Sequence, residues 1–197
     1  MLDYIKIHYL ELIATITALI YLYYSIKVDK RLWLYGFISS ALYVFICYQS
    51  GIYADMGINL YYVLVSFYGW IHWTWFSNKQ KKEVPISFTK TPEWIIIILS
   101  FVLLYGIIAY VLIHFTNSNV PYLDSFTTAA SIVATWMLAR KMIEHWLIWI
   151  LIDSASVGLY YYKQLYPSTL LFAVYTIMAV AGWIQWKKQW NNQKIKL

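Results

Sequence analysis

Seven long apolar segments, separated by polar connections, constrain the fold of this chain more than any other feature. They cover roughly residues 8–27, 31–50, 53–76, 93–115, 121–140, 144–163 and 167–190. A helix needs about 20 mostly apolar residues to cross a hydrocarbon core about 30 Å thick. The pattern therefore predicts an all-α integral membrane protein with seven transmembrane helices. Runs such as 94–113 show no strict alternation, which argues against a membrane β-barrel.

The low charge of the sequence excludes several classes of protein. Only 12% of the residues are charged and 61% are hydrophobic, whereas a typical globular domain has about 25% charged residues. Disordered chains and coiled coils do not have such a composition. The net charge of +6 does not indicate a nucleic-acid partner, because the basic residues lie between apolar segments rather than in one patch. Cys47 is the single cysteine, so neither a disulfide framework nor a cysteine metal site is expected.

The lysines and arginines predict the orientation of the chain in the membrane. With seven spans, the connections after spans one, three and five lie on the same side as the C-terminal tail. That side holds thirteen of the fifteen basic residues: Lys27, Lys30, Arg31, Lys79, Lys81, Lys82, Lys90, Arg140, Lys141, Lys187, Lys188, Lys194 and Lys196. The other side holds Lys6 and Lys163. Because cytoplasmic loops are enriched in Lys and Arg, we expect a multi-pass inner-membrane protein with its N-terminus outside and its C-terminus in the cytoplasm.

The beginning and the end of the chain align with each other when the sequence is shifted by 113 residues. The pentapeptide GWIHW at 69–73 then falls on GWIQW at 182–186. Other distinctive pairs also coincide: Glu11 with Asp124, Lys27 with Arg140, Trp33 with Trp146, Tyr48 with Tyr161, Tyr53 with Tyr166, and Tyr62 with Tyr175. Because apolar residues align by chance, the tryptophans and charged pairs are the evidence for an internal repeat.

The repeat predicts a 3+1+3 architecture. We expect one transmembrane domain, 1–197, with repeat one at 8–76, a linking helix at 93–115 and repeat two at 121–190. Three helices end on the opposite side of the membrane from their start, so one further crossing lets the second triplet run parallel to the first. Transporters built from repeats of this kind bind substrate near the bilayer midplane between the repeats. We expect a site there.

Asp153 is the carboxylate nearest the centre of a predicted span. Ionisable groups inside a membrane are costly and are therefore functional candidates. Its repeat mate is the neutral Ser40, so the architecture does not require a charge at this place. One interpretation is recognition of a positively charged or hydrogen-bond-donating substrate. The other is a hydrogen bond to neighbouring hydroxyls that holds two helices together. We favour recognition.

Polar residues near other spans are further candidates for the substrate site. Asn59 and Ser66 are seven residues apart and share a helix face with Tyr62. Such a face suits a hydroxyl-rich or amide-bearing ligand, although hydrogen bonding between helices is the alternative. Asp124 begins a hydroxyl-rich stretch that includes Thr128. Both are candidates, but an acidic group there is also expected to cap its helix and interact with the helix dipole.

Five tryptophans lie deeper than the ends of their spans and are candidates for stacking on a planar ring: Trp70, Trp73, Trp136, Trp183 and Trp186. An aromatic pair would add cation–π attraction if that ring were positively charged. Membership in the aromatic belts of the membrane interface is the alternative for all but Trp136, which lies in the middle third of its span.

The sequence does not indicate an enzyme or a cofactor. It contains no HExxH, Walker, GxSxG or CxxC motif. The four histidines are scattered along the chain, so we expect no shared metal site. A retinal-binding protein would need a lysine in the middle of its last span, where this chain has none. A transporter is therefore the preferred class, and a non-transporting membrane scaffold is the remote alternative.

Three segments of the chain resemble one known family. The run YGWIHW at 68–73, the second GWIQW, and the stretch from Leu123 to Asp153 are similar to the PnuC family of vitamin-precursor transporters. The likeness covers nearly the whole chain. It implies repeats like those of SWEET sugar transporters and assembly as a homotrimer. It also implies facilitated diffusion of nicotinamide riboside, which a cytoplasmic kinase then traps by phosphorylation.

The chain departs from typical nicotinamide riboside members at three positions. Those members have Gln and Asn where this chain has Asn59 and Ser66, and Asn where it has Asp153. A thiamine-transporting subfamily is also similar, so thiamine is the alternative substrate. Both ligands combine a cationic aromatic ring with hydrogen-bonding groups, which tryptophans together with Asp153 would suit.

Overall fold

The computed structural model describes residues 2–51, 53–80, 84–116, 118–162 and 164–195. These residues form seven α-helices: α1 Leu2–Ile26, α2 Leu32–Gln49, α3 Tyr53–Gln80, α4 Thr91–Phe115, α5 Pro121–Ala139, α6 His145–Tyr162 and α7 Tyr166–Ile195. No strand occurs in the described ranges, which contain only an isolated bridge between Ser87 and Met142. The prediction of an all-α protein with seven helices is therefore confirmed.

Four of the described helices are long and apolar enough to cross a membrane on length and composition alone. The corresponding segments are Tyr9–Ile26, Leu32–Gln49, Thr91–Phe115 and Ser168–Ile195. Several helices extend beyond the predicted spans; α3, for example, continues to Gln80 and α7 to Ile195. Hydropathy marks the width of the hydrocarbon core, whereas backbone hydrogen bonding continues into polar flanks.

The helices group into two compact units, residues 1–85 and 86–197. In the first unit, α2 packs against both α1 and α3. In the second unit, each helix packs against the next in chain order, from α4 to α7. The predicted linking helix, α4, therefore belongs to the second unit and packs on α5. The single-domain prediction and its repeat boundaries stay predictions.

The same backbone turns recur at the 113-residue spacing. Val28 and Lys141, which follow α1 and α5, have φ of 59° and 55°. Gly51 and Gln164, which follow α2 and α6, have φ of 71° and 58°. A left-handed residue just after a helix is a common way to end it, but three of these four are not glycine. The turns after the first and second helices of each repeat therefore have the same backbone conformation.

A cluster of two tryptophans and a glycine, here called the Trp–Gly–Trp cluster, fastens two helices in each unit. In the first unit Trp33 lies against Gly69, where an added Cβ would be 2.3 Å from Cε2 of the indole. Trp73 meets Trp33 edge-on, with ring centroids 5.5 Å apart. Only glycine allows so close an approach of the two helices.

The second unit repeats this cluster with Trp146, Gly182 and Trp186. An added Cβ at Gly182 would lie 2.6 Å from Cε2 of Trp146, and the two indoles meet edge-on at 6.1 Å. Among the described residues, the buried indole N–H groups of Trp33 and Trp146 have no hydrogen-bond partner. The aligned tryptophans and glycines therefore have the same structural role in both triplets.

The orientation prediction depends partly on four lysines. Lys81, Lys82, Lys163 and Lys196 lie outside the described residues. The topology of the two termini stays a prediction.

Candidate functional site

Asp153 lies in α6 of the second unit and its side chain is buried, with 6% of its surface exposed. Within the described part of the chain it makes no hydrogen bond and no ion pair. The nearby hydroxyl of Ser156 instead donates to the carbonyl of Ile152, at 2.9 Å. The structure thus gives no support to the interpretation that Asp153 ties two helices together. A carboxylate in a buried side chain without a hydrogen-bond partner is costly, so Asp153 stays a candidate for contact with a ligand.

Ser66 and Trp70 line one cavity of about 280 Å³ between α2 and α3. The remaining walls are apolar side chains: Trp33, Leu34, Phe37 and Phe67. Ser66 is buried and donates its hydroxyl to the carbonyl of Tyr62, at 2.8 Å, so its oxygen can still accept a hydrogen bond. Trp70 is 40% exposed, which leaves part of its indole accessible. The cavity combines an aromatic surface with a single polar position.

Tyr21 is a neighbour of this region that the sequence analysis missed. A Cβ added at Gly36 would lie 2.9 Å from Cδ2 of Tyr21 and 3.3 Å from the hydroxyl oxygen of Ser66. The Tyr21 ring therefore covers Gly36 close to Ser66. The available signal was Gly36 itself, because a glycine within an apolar helix often marks a close approach.

Asn59 and Tyr62, two further predicted residues of α3, each contact a neighbour in their own helix. Asn59 donates its side-chain amide to the carbonyl of Asp55, at 2.9 Å. Tyr62 lies beside Tyr61, with ring centroids 5.6 Å apart. Both side chains are half-buried. Their role in substrate binding stays a prediction.

Asp124 lies in the first turn of α5 but does not cap it with a side-chain hydrogen bond. It accepts a hydrogen bond from the hydroxyl of Ser118 at 2.7 Å, and the Ser118 oxygen accepts one from the backbone N–H of Val120. These bonds hold the connection before α5 in place. Asp124 therefore has a structural contact, although with this connection rather than as a cap of its own helix. Thr128, one turn further along, is half-buried.

The five candidate tryptophans have different environments. Trp73 and Trp186 are buried within the Trp–Gly–Trp clusters, and Trp186 also packs edge-on against His145 at 4.7 Å. Trp183 meets Phe88 edge-on at 6.4 Å. Trp136 is about as exposed as Trp70. Trp70 and Trp136 therefore present the most accessible indoles for stacking, and helix packing alone explains the burial of Trp73 and Trp186.

The predicted site residues are divided between the two compact units. The first unit holds Asn59, Tyr62, Ser66, Trp70 and Trp73, and the second holds Asp124, Thr128, Trp136, Asp153, Trp183 and Trp186. Within the first unit, the cavity brings Ser66 and Trp70 together. Among the described residues, no group of three or more His, Cys, Asp or Glu side chains could hold a metal ion.

Comparison with known proteins identifies similar transporters. The family model described as nicotinamide mononucleotide transporter matches residues 8–188. The nicotinamide riboside transporter PnuC of Neisseria mucosa is 27% identical over 192 residues, which cover 91% of this chain and 72% of the relative. PnuC of Escherichia coli is 23% identical, with 90% and 84% covered. The riboflavin/roseoflavin transporter RibM of Streptomyces davaonensis is also 23% identical, with 89% and 83% covered.

The helical arrangement also matches a solved structure. The crystal structure of the vitamin B3 transporter PnuC superimposes with a TM-score of 0.71, covering 93% of this chain and 83% of that chain, at 24% sequence identity. This similarity shows that the two chains share a fold.

Proposed function

Because the chain belongs to the nicotinamide mononucleotide transporter family, we propose that it carries a vitamin or vitamin precursor with a cationic aromatic ring. The favoured substrate is nicotinamide riboside. Two relatives named as nicotinamide riboside transporters cover about nine-tenths of the chain, which supports this choice. The family consists of membrane transporters rather than enzymes.

The observation that carries this proposal is the buried, unpaired carboxylate of Asp153. The pyridinium ring of nicotinamide riboside carries a permanent positive charge, so an ionised Asp153 would stabilise it at close range. Thiamine also has a cationic ring and is the alternative. Riboflavin, suggested by the similarity to RibM, has a neutral ring system and would gain nothing from this charge.

We propose transport by facilitated diffusion, with cytoplasmic phosphorylation trapping the product. Ion-coupled transporters usually contain paired acids and bases near the midplane, or acids beside unwound helix segments. Asp153 has no ion-pair partner among the described residues, and α6 is continuous through this position. The proposal includes an inner-membrane location with a cytoplasmic C-terminus, and a homotrimeric assembly.

The direct test is uptake by purified protein in liposomes. We expect labelled nicotinamide riboside to equilibrate across the membrane faster than in protein-free liposomes, and riboflavin not to. The internal concentration should stop rising at the external one, because nothing in the vesicle phosphorylates the product. Equilibration of thiamine alone would favour the alternative substrate, and movement of none of the three would refute the proposed function. Accumulation driven by an imposed proton gradient would refute passive transport.

Replacement of Trp70 tests the aromatic wall of the cavity. We expect Trp70→Ala to weaken nicotinamide riboside binding by roughly 5- to 30-fold, corresponding to about 1–2 kcal/mol for a cation–π contact. The matched control is Trp75→Ala, which removes a more exposed indole (62%) from the same helix and should change affinity less than twofold. Calorimetric titration of both variants gives the comparison. Equal losses of affinity in the two variants would mean that Trp70 does not contact the ligand.

A further inference from the structure

The connection that precedes α4 is fastened to the turn between α5 and α6. This segment, residues 84–90, is called the strap below. The backbone N–H of Ser87 donates to the carbonyl of Lys141 at 3.1 Å, and the N–H of Ile143 donates to the carbonyl of Ser87 at 3.0 Å. The N–H of Ile86 donates to the side-chain oxygen of Gln193 in α7, at 3.1 Å. The strap therefore contacts the α5–α6 turn and α7.

Glu144 supplies the polar centre of this attachment. Its carboxylate accepts the backbone N–H of Thr89, at 3.0 and 3.1 Å to its two oxygens, and the Thr89 hydroxyl at 2.9 Å. The Glu144 side chain is only 8% exposed. Hydrogen bonds to an ionised acceptor are stronger than neutral ones, and shielding from water strengthens them further. Two residues 55 positions apart are thus held by three charge-assisted contacts.

The equivalent turn of the first unit is built differently. The repeat mate of Glu144 is Arg31, which binds Asp29 two residues away at 2.7 Å and lies over the ring of Tyr24. This ion pair is local, and its Arg31 side chain is 58% exposed, whereas Lys141, Met142 and Ile143 of the second turn are all buried. A buried turn tied to a distant segment opens less readily than an exposed one.

We propose that Glu144 is a positioning residue of the transport cycle. By fixing the α5–α6 turn to the strap, it holds α5 and α6 in one arrangement, while the equivalent α1–α2 turn can act as a hinge. Conformational changes usually occur at a few loop or helix-end residues. If the α5–α6 turn is held in place, such changes are restricted to the α1–α2 turn. This role depends on the transport activity proposed above. Asp153 lies nine residues further along α6, about 13 Å away, so Glu144 does not touch the candidate ligand site.

The test compares Glu144→Ala with Arg31→Ala, its repeat mate. In liposomes, Glu144→Ala should lower the maximal transport rate of nicotinamide riboside at least fivefold, while its dissociation constant changes less than twofold. Arg31→Ala should change both less than twofold. Hydrogen exchange followed by mass spectrometry should show the amide of Thr89 exchanging at least tenfold faster in Glu144→Ala than in wild type.

Two milder variants keep the proposal testable if Glu144→Ala does not fold. Glu144→Gln retains one accepting oxygen without the charge and should recover part of the lost rate. Thr89→Val removes only the hydroxyl contact and should give an intermediate rate. Unchanged exchange at Thr89, a rate equal to that of Arg31→Ala, or equal losses of affinity and rate would each overturn the positioning role. Failure of the proposed function is recognised separately, because wild type would then move none of the three vitamins.

Discussion

Gly182→Ala and Gly69→Ala are each expected to destabilise the protein severely. The new methyl group would lie 2.6 Å from Trp146 at the first position and 2.3 Å from Trp33 at the second, far inside van der Waals contact. Neither indole can move easily, because both are almost fully buried. Overpacking of a core typically costs about 1–3 kcal/mol and occasionally more, a large part of a usual stability of about 5–15 kcal/mol. The gain in helix propensity, about 1 kcal/mol, does not offset this.

The controls are two other helical glycines, which have free space around them. Gly57 lies on α3 with Gly69, and Gly158 lies on α6; an added Cβ at either meets nothing within 4 Å. Alanine there should leave stability unchanged or raise it by up to about 1 kcal/mol. Thermal unfolding in detergent, followed by fluorescence-detected size exclusion, measures all four variants. The double variant Gly182→Ala with Trp146→Leu should recover part of the loss. If Gly182→Ala were as stable as Gly158→Ala, the close approach of Trp146 to Gly182 would be contradicted.

Asp153→Asn is expected to weaken binding of a cationic ligand by about ten- to a hundredfold, equivalent to about 1.4–2.8 kcal/mol. At about 4 Å and an effective dielectric constant of about 20, the attraction is about 4 kcal/mol, and desolvation removes much of it. The repeat mate Ser40 is neutral and also buried, so the fold tolerates a neutral residue at this place. Thermal stability should therefore not fall.

The matched control is Asp55→Asn, which removes an exposed carboxylate from the first turn of α3 and should leave affinity within twofold. Titration of nicotinamide riboside, thiamine and riboflavin against wild type and both variants separates the substrates. If thiamine is the natural ligand, Asp153→Asn should shift preference toward nicotinamide riboside. Any riboflavin binding should be unaffected, because that ring is neutral. Unchanged affinity for both cationic ligands would make Asp153 a structural residue.

The sequence identified candidates for the site more readily than it identified their surroundings. Asp153 was singled out because a carboxylate within an apolar segment is conspicuous. Its side chain is buried, and its role in substrate binding stays a prediction. The tryptophans could not be sorted in this way. Trp70 and Trp73 are three residues apart on one helix, yet Trp70 lines a cavity and Trp73 packs against Trp33. Which indole is buried depends on the position of the neighbouring helix α2, and the local sequence pattern does not specify that position.

The sequence by itself determined the seven helices and the 113-residue spacing. Helix formation in an apolar segment satisfies the backbone locally, without information from distant residues. The pairing of Glu144 with Thr89, the cover of Tyr21 over Gly36 and the contacts of Trp33 with Gly69 were decided only by the tertiary structure. Each joins residues from different elements of the chain. Burial and hydrogen-bond partners depend on which side chains are brought together, and residue type and spacing along one segment do not specify that.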